Sequence, residues 1–172
     1  RGCDENRKHT HGDLKPTVYI QASTMPPRIK EELLQGKTAI SRDDIRWSQC
    51  NTKATSLLAN TLMMNQASQK GCNEIIMHKF GSITEAGASN IFFINNDIVC
   101  TPKLNNNILP GITRGMSIEI FKRNGIEVME GDFSLDTLSG ASKIWLTSST
   151  KGMAEVCDIE NLANDIKYQN TL

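Results

Sequence analysis

Between Arg46 and Arg114 the chain sets out, in a fixed order, an amine, a carboxylate and a helix start, with strands between them. The segments are Arg46-Trp47-Ser48-Gln49-Cys50-Asn51-Thr52-Lys53, Thr84-Glu85-Ala86-Gly87-Ala88-Ser89-Asn90-Ile91-Phe92 and Ile108-Leu109-Pro110-Gly111-Ile112-Thr113-Arg114. Only a fold that returns strand ends to one cleft can bring these groups together. The pattern around them supplies strands. Residues 74–78 read as one strand, Phe80-Gly81-Ser82 as a tight turn, and residues 83–84 as the lead into Glu85. Residues 91–95 and 98–101 form a hairpin across Asn96-Asp97, a pair of residues that tolerates the left-handed turn. Pro110 precedes Gly111-Ile112-Thr113, which opens an amphipathic helix through Ile118, Ile120 and Phe121, closed by Asn124-Gly125. A helix start offers free backbone amides to an anion.

The remaining elements fit around this centre. Residues 17–20 read as a strand broken by Met25-Pro26-Pro27. A helical turn follows in 29–36, then a short strand at 38–40 and a turn at Arg42-Asp43-Asp44. Lys53 opens a helix running to about Lys70, with Leu57, Leu58, Leu62 and Met63 as its apolar face and Gly71 as C-cap. A lysine at the start of such a helix is partly desolvated, which favours the neutral amine. Strands are expected at 126–129, 143–147 and 153–159, with a short helix at 135–138. The strand at 143–147 delivers Ser148-Ser149-Thr150, a turn rich in hydroxyls. The tail from Asn161 is polar. Hairpins mixed with helices define an α+β domain.

Composition narrows the function classes. The chain has 172 residues, and its 19 basic and 19 acidic side chains cancel, which argues against nucleic acid or an anionic membrane as partner. No apolar run approaches the length of a membrane helix, and no signal peptide opens the chain. The five cysteines, Cys3, Cys50, Cys72, Cys100 and Cys157, are scattered and odd in number. They read as free thiols in a reducing compartment, hence a cytoplasmic protein. No His/Cys set has metal-ligand spacing, so no metal is expected. There are no repeats, and Asn105-Asn106-Asn107 reads as a loop.

Taken together, Glu85, Ser89, Asn90, Ile91 and Phe92, then Thr101 and Pro102, then Gly111, Ile112, Thr113 and Arg114, make a long pattern. It resembles the fold-type IV (class IV) pyridoxal phosphate-dependent aminotransferases, and within them the D-amino acid (D-alanine) aminotransferase group. The resemblance covers nearly the whole chain. It implies a C-terminal pseudo-barrel domain at 29–172, with 1–28 the end of an N-terminal domain and the interdomain loop. The abrupt opening at Arg1-Gly2-Cys3 fits a protein whose smaller N-terminal domain is largely absent from this chain.

The same resemblance implies the site. Lys53 is the Schiff-base lysine, and Glu85 pairs with the pyridine nitrogen of pyridoxal 5′-phosphate. Arg46 lies near the cofactor's phenolic oxygen; its plainer reading is a surface ion pair. Ser89 and Asn90 hold tight backbone beside the cofactor. Leu109, Gly111, Ile112 and Thr113, with Ser148 and Ser149, hold it at the phosphate end; for the serines the plainer reading is a capped turn. Arg7 and His9, on the polar loop of residues 1–16, would grip the substrate carboxylate across a homodimer interface; their plainer reading is a solvated basic loop. The implied reaction is transamination between a D-amino acid and a 2-oxo acid. The related alternatives are a branched-chain L-amino acid aminotransferase and an aminodeoxychorismate lyase. An inactive fragment is the alternative of a different class, separable by an absorbance scan for bound cofactor.

Overall fold

The computed structural model describes residues 2–3, 9–10, 12–24, 36–160 and 166–167. Nine strands and three helices follow one another there: β1 (Lys37–Asp43), α1 (Leu58–Gln69), β2 (Glu74–Lys79), β3 (Ser82–Ala86), β4 (Asn90–Asn95), β5 (Ile98–Pro102), α2 (Ile112–Arg123), β6 (Val128–Gly131), α3 (Leu135–Ser139), β7 (Lys143–Ser148), β8 (Gly152–Glu160) and β9 (Ile166–Lys167). They form one mixed sheet in the order β3-β2-β1-β8-β7-β4-β5-β6, with β9 on β8. β1 runs parallel to both β2 and β8, and β5 parallel to β6; the other pairings are antiparallel. β3 is an edge strand, and β4 lies beyond β2, β1, β8 and β7 in that order. Yet only residues 87–89 connect β3 to β4. So short a link forces the sheet to curl into a half-barrel, with the ends of β3 and β4 side by side.

Strand alternation sorts the side chains between two faces. Ile76, Ile91, Phe93, Ile144 and Leu146 point inward, packed with Val156, Ile159 and Leu138 in the principal core. Outside, Met63 and Ala67 of α1 cover Ile40, Ile75 and Met77. On the other arm α2 sets Ile118 and Phe121 against Phe92, Val99 and Trp145. The Phe92 and Trp145 rings stack with centroids 5.8 Å apart. Phe80 and Gly81 (φ 51° and 81°) turn β2 into β3, and Asn96 and Asp97 (φ 49° and 62°) turn β4 into β5. Two successive positive φ values match the right-handed twist of the flanking strands.

Several expected boundaries move. β1 continues through Asp43, and Asp44 adds one further bond, its N–H donating to the His78 carbonyl at 2.7 Å, so the expected turn is strand. The helix expected from Lys53 begins at Leu58, and the segment before it is irregular. Its buried side is Met63 and Ala67, while Leu57, Leu58 and Leu62 are exposed. β6 starts two residues late because Gly125 (φ 71°) and residues 126–127 are still turning. Residues 17–20 form no strand; Val18, Tyr19 and Ile20 are exposed, although Gly2 and Pro16 just before them make an isolated bridge. Arg7, the expected turn at 29–35 and the boundary at 28/29 lie outside the described residues. No helix among those described is long and apolar enough to cross a membrane, and the five cysteines are free thiols.

Candidate active site

Asp44 and Arg46 follow directly from the C-terminal end of β1, beside the β2–β3 turn, and Arg46 reaches from there to β3. The Asp44 carboxylate takes Arg46 in a fork, with Nε donating to Oδ1 at 2.9 Å and Nη2 to Oδ2 at 2.7 Å. Thr84 Oγ1 sits 2.9 Å from Oδ2. Arg46 Nη1 donates to Glu85 Oε1, and Nη2 also donates to the Asn107 carbonyl at 2.9 Å. Nearby, the Cys50 N–H donates to the Asn106 carbonyl at 2.7 Å. One guanidinium thus links β1, the acid of β3 and the Asn105–Asn107 loop.

Glu85 receives two further donors. Asn90 Nδ2 reaches Oε2 at 3.1 Å and the Leu109 N–H reaches it at 3.0 Å. Asn90 Nδ2 also donates to the Leu109 carbonyl at 2.8 Å. Asp44, Arg46, Glu85, Ser89 and Asn90 are all buried. Burial pushes both carboxyls up. At Asp44 the hydrogen bonds and charge of Arg46 outweigh it, so the net position falls below the usual carboxylate value. At Glu85 burial wins over Arg46 and the Leu109 amide, and the carboxyl stays raised. Arg46 is held firmly charged; burial opposes its charge, but its bonds to Asp44 and its attraction to Glu85 prevail.

Leu109 leads into Gly111, the N-cap residue of α2, where no side chain caps the first turn. The opening amides of this 12-residue helix are therefore left for an anion. A Cβ on Gly111 would stand 2.1 Å from Asn90 Oδ1. Asn90 is itself bonded to Glu85 and Leu109, so it cannot swing aside cheaply. Gly111→Ala is therefore expected to lower stability by about 1–3 kcal/mol, the usual range for overpacking. A thermal melt measures this, and an unchanged midpoint would show that Asn90 yields. Arg114, buried in the same turn, donates through Nη2 to the Pro102 carbonyl at 2.9 Å and to Glu130 Oε2 at 2.7 Å, fastening the helix start to β5 and β6.

The structure brings Arg46, Glu85, Asn90, Leu109 and Gly111 into one bonded cluster, with Ser89, Ile112 and Thr113 adjoining it in the chain. Arg46 is neither surface-exposed nor singly paired, which removes the surface ion-pair reading. Ser148 ends β7 and its Oγ accepts the Lys151 N–H at 3.1 Å, so the turn is capped as the plainer reading had it; Ser149 is exposed in that turn. Lys53 lies exposed between the turn at 50–52 and α1, so the expected desolvation at a helix start is not what this segment provides. His9 is exposed. Sequence reasoning gave Asp44 no separate role and missed Thr147; the i, i+2 spacing of Asp44 and Arg46 was the available signal for the first. Thr147 faces Asn90 across the β4–β7 ladder, so both side chains leave the same face of the sheet. The buried hydroxyls of Thr147 and Ser89 have no hydrogen-bond partner among the described residues.

A buried carboxylate, an uncapped helix start, a glycine packed against Asn90 and two unpartnered hydroxyls are a donor set that fits pyridoxal 5′-phosphate: an acid for the ring nitrogen, amides and hydroxyls for the phosphate.

Comparison with known proteins agrees. The family model for amino-transferase class IV matches residues 1–159. A D-alanine aminotransferase of Listeria monocytogenes is 35% identical over 164 residues, covering 94% of this chain and 57% of that protein. The chain thus spans little more than half the length of such relatives. Among solved structures, the Escherichia coli branched-chain amino acid aminotransferase superposes with a TM-score of 0.70 at 27% identity, over 80% of this chain and 47% of its own. A Legionella pneumophila protein described as a 4-amino-4-deoxychorismate lyase does so with a TM-score of 0.67 at 25% identity, over 77% and 51%. The half-barrel, the buried acid–arginine cluster and the open helix start are therefore those of a chain that belongs to the class IV aminotransferases, enzymes whose cofactor is pyridoxal 5′-phosphate.

Proposed function

We propose that the protein containing this chain transfers an amino group between a D-amino acid, such as D-alanine, and a 2-oxo acid. The observation that carries the reading is the Asp44–Arg46–Glu85–Asn90 cluster set against the start of α2. When bound, pyridoxal 5′-phosphate supplies an aldehyde for amino groups and an electron-poor ring that accepts the electron pair released at the substrate α-carbon. The chain's own residues do the rest. Lys53 offers an exposed amine that would hold the aldehyde and take up and return the substrate α-proton. Glu85 holds a proton on the ring nitrogen. Burial disfavours its charge despite Arg46, so a second cationic group against its carboxylate would be favoured. Asp44 grips Arg46 from the opposite side, so the guanidinium cannot neutralise Glu85 alone. The hydrogen bonds of Arg46 to Asp44, Glu85 and Asn107 occupy Nε, both N–H groups of Nη2 and one of Nη1. The other Nη1 N–H serves the cofactor's phenolic oxygen. The first amides of α2, with the hydroxyls of Thr113, Ser148 and Ser149, take the phosphate, while Ser89 and Asn90 fix the backbone beside the ring.

Sequence similarity to D-alanine aminotransferases along 94% of the chain supports the D-amino acid as substrate. So does Arg7-Lys8-His9, whose i, i+2 pair offers a guanidinium and an imidazole as donors. They would fix a carboxylate, and with it the face of the α-carbon that meets Lys53, in a pocket shared between two subunits of a homodimer. Losing one charged donor costs about 1.5–3 kcal/mol. Arg7→Ala in the full-length protein should then raise KM for D-alanine roughly ten- to a hundredfold, with cofactor absorbance intact. Unchanged kinetics in both Arg7→Ala and His9→Ala would refute the grip. Assay of the full-length protein with D-alanine, L-leucine and aminodeoxychorismate tests the whole reading: turnover of D-alanine is expected, and preference for either of the others overturns it.

A further inference from the structure

Glu74 opens β2 with 1% of its surface exposed, yet it is a carboxylate. Oε1 accepts the N–H of Ile75 at 3.1 Å and of Gly87 at 3.2 Å, and Oε2 accepts Lys151 Nζ at 3.2 Å. Gly87 is held on both sides. Its carbonyl accepts Asn60 Nδ2 from α1 at 2.8 Å, and its N–H also points at the Ile75 carbonyl at 3.1 Å. A Cβ there would stand 2.3 Å from Met64 Sδ and 2.8 Å from Glu74 Oε1, so only glycine lets the turn come this close. At the other end the Lys151 N–H is bonded to Ser148 Oγ. Glu74 is thus the node between the turn that carries Glu85 and Asn90 and the turn that carries Ser148 and Ser149.

The β4–β7 ladder ends at Asn90 opposite Thr147, and Glu74 adds a tie from β2 to the turn that runs on beyond that pair. A buried ion pair is a poor way to gain stability alone, since an apolar residue would pack there with less desolvation. What the carboxylate adds is a directional tie. We propose that Glu74 is a positioning residue for the cofactor, holding the 148–151 turn at its working distance from the Glu85 turn through Lys151. The inference rests on the pyridoxal phosphate reading above, and the experiment separates the two.

The full-length protein, stripped of cofactor, is titrated with pyridoxal 5′-phosphate and followed by absorbance. Glu74→Gln keeps an acceptor for Gly87 but loses the charge facing Lys151. Lys151→Met removes the same contact from a side chain that is 43% exposed, and a thermal melt run beside the titration records what the unpaired Glu74 carboxylate costs. Each should raise the dissociation constant roughly tenfold, equivalent to about 1.4 kcal/mol. The double variant should be no worse than either single one, as expected of two groups acting through one contact. Lys151→Arg should restore wild-type affinity, and kcat at saturating cofactor should change little. Unchanged cofactor affinity in Glu74→Gln and Lys151→Met, with or without a lower melting temperature, overturns the positioning role and leaves the function untouched. A wild-type protein that binds no pyridoxal 5′-phosphate overturns both.

Discussion

Lys53→Ala in the full-length protein should leave cofactor bound only non-covalently and lower turnover by at least the 10²–10⁴-fold that a positioned proton carrier contributes. No other lysine precedes an apolar helix within the Arg46–Arg114 stretch, and the structure leaves this one open rather than committed to an ion pair among those described. Borohydride reduction of the wild type followed by peptide mapping identifies the attached side chain directly. Label on another lysine, such as Lys151 beside Ser148 or Lys79 beside Asn107, would move the assignment there.

Glu85→Gln should retain cofactor and lose turnover by on the order of 10²–10³, the scale of removing one preorganised electrostatic partner. The variant should also fold at least as well as the wild type. Burial raises the Glu85 carboxyl above its usual value. A group shifted in that direction contributes most below its unfolded value, and the contribution is lost as pH rises through its folded value. Its ionisation therefore opposes folding near neutrality, and an amide relieves that while Asp44 still holds Arg46. A melting curve run beside the kinetics checks this. Near-normal turnover would remove Glu85 from the ring nitrogen, whereas a collapsed melting temperature would reassign it to the scaffold.

These residues show where the sequence was legible. The Asn96-Asp97 hairpin and the Gly111–Gly125 helix stood out because each rests on local rules: two residues able to take positive φ, and a proline–glycine start matched by a glycine stop. Lys53 shows the opposite case. Thr52, Thr55 and Ser56 weaken the first turn, and the Leu57 N–H bonds the Thr55 carbonyl, so the helix starts only at Leu58. The four apolar residues from Leu57 to Met63 fit helical periodicity, but periodicity does not say which flank meets the sheet. Met63 with Ala67 won, since those two fit between Ile40, Ile75 and Met77. Arg46 could be read as a surface pair or a site residue because its partners, Glu85 and the Asn107 carbonyl, lie 39 and 61 positions away. The Glu74–Lys151 contact spans 77 positions and had no sequence signature at all.

The place of β8 in the sheet has a kinetic consequence. The arm β3-β2-β1 and the arm β7-β4-β5-β6 are each assembled from neighbouring stretches of chain, but β8 alone joins them. The Cys157 thiol and the Lys37 carbonyl it meets are 120 positions apart. A nascent chain that has just released β7 therefore holds two half-sheets with β1 and β7 unpaired, bare edges of the kind that recruit other chains. Closing so long a loop is entropically slow, and pairings this non-local slow folding. The stretch from Gly152 to Glu160 is thus the latch of the whole domain, and the time before it docks is when aggregation threatens most.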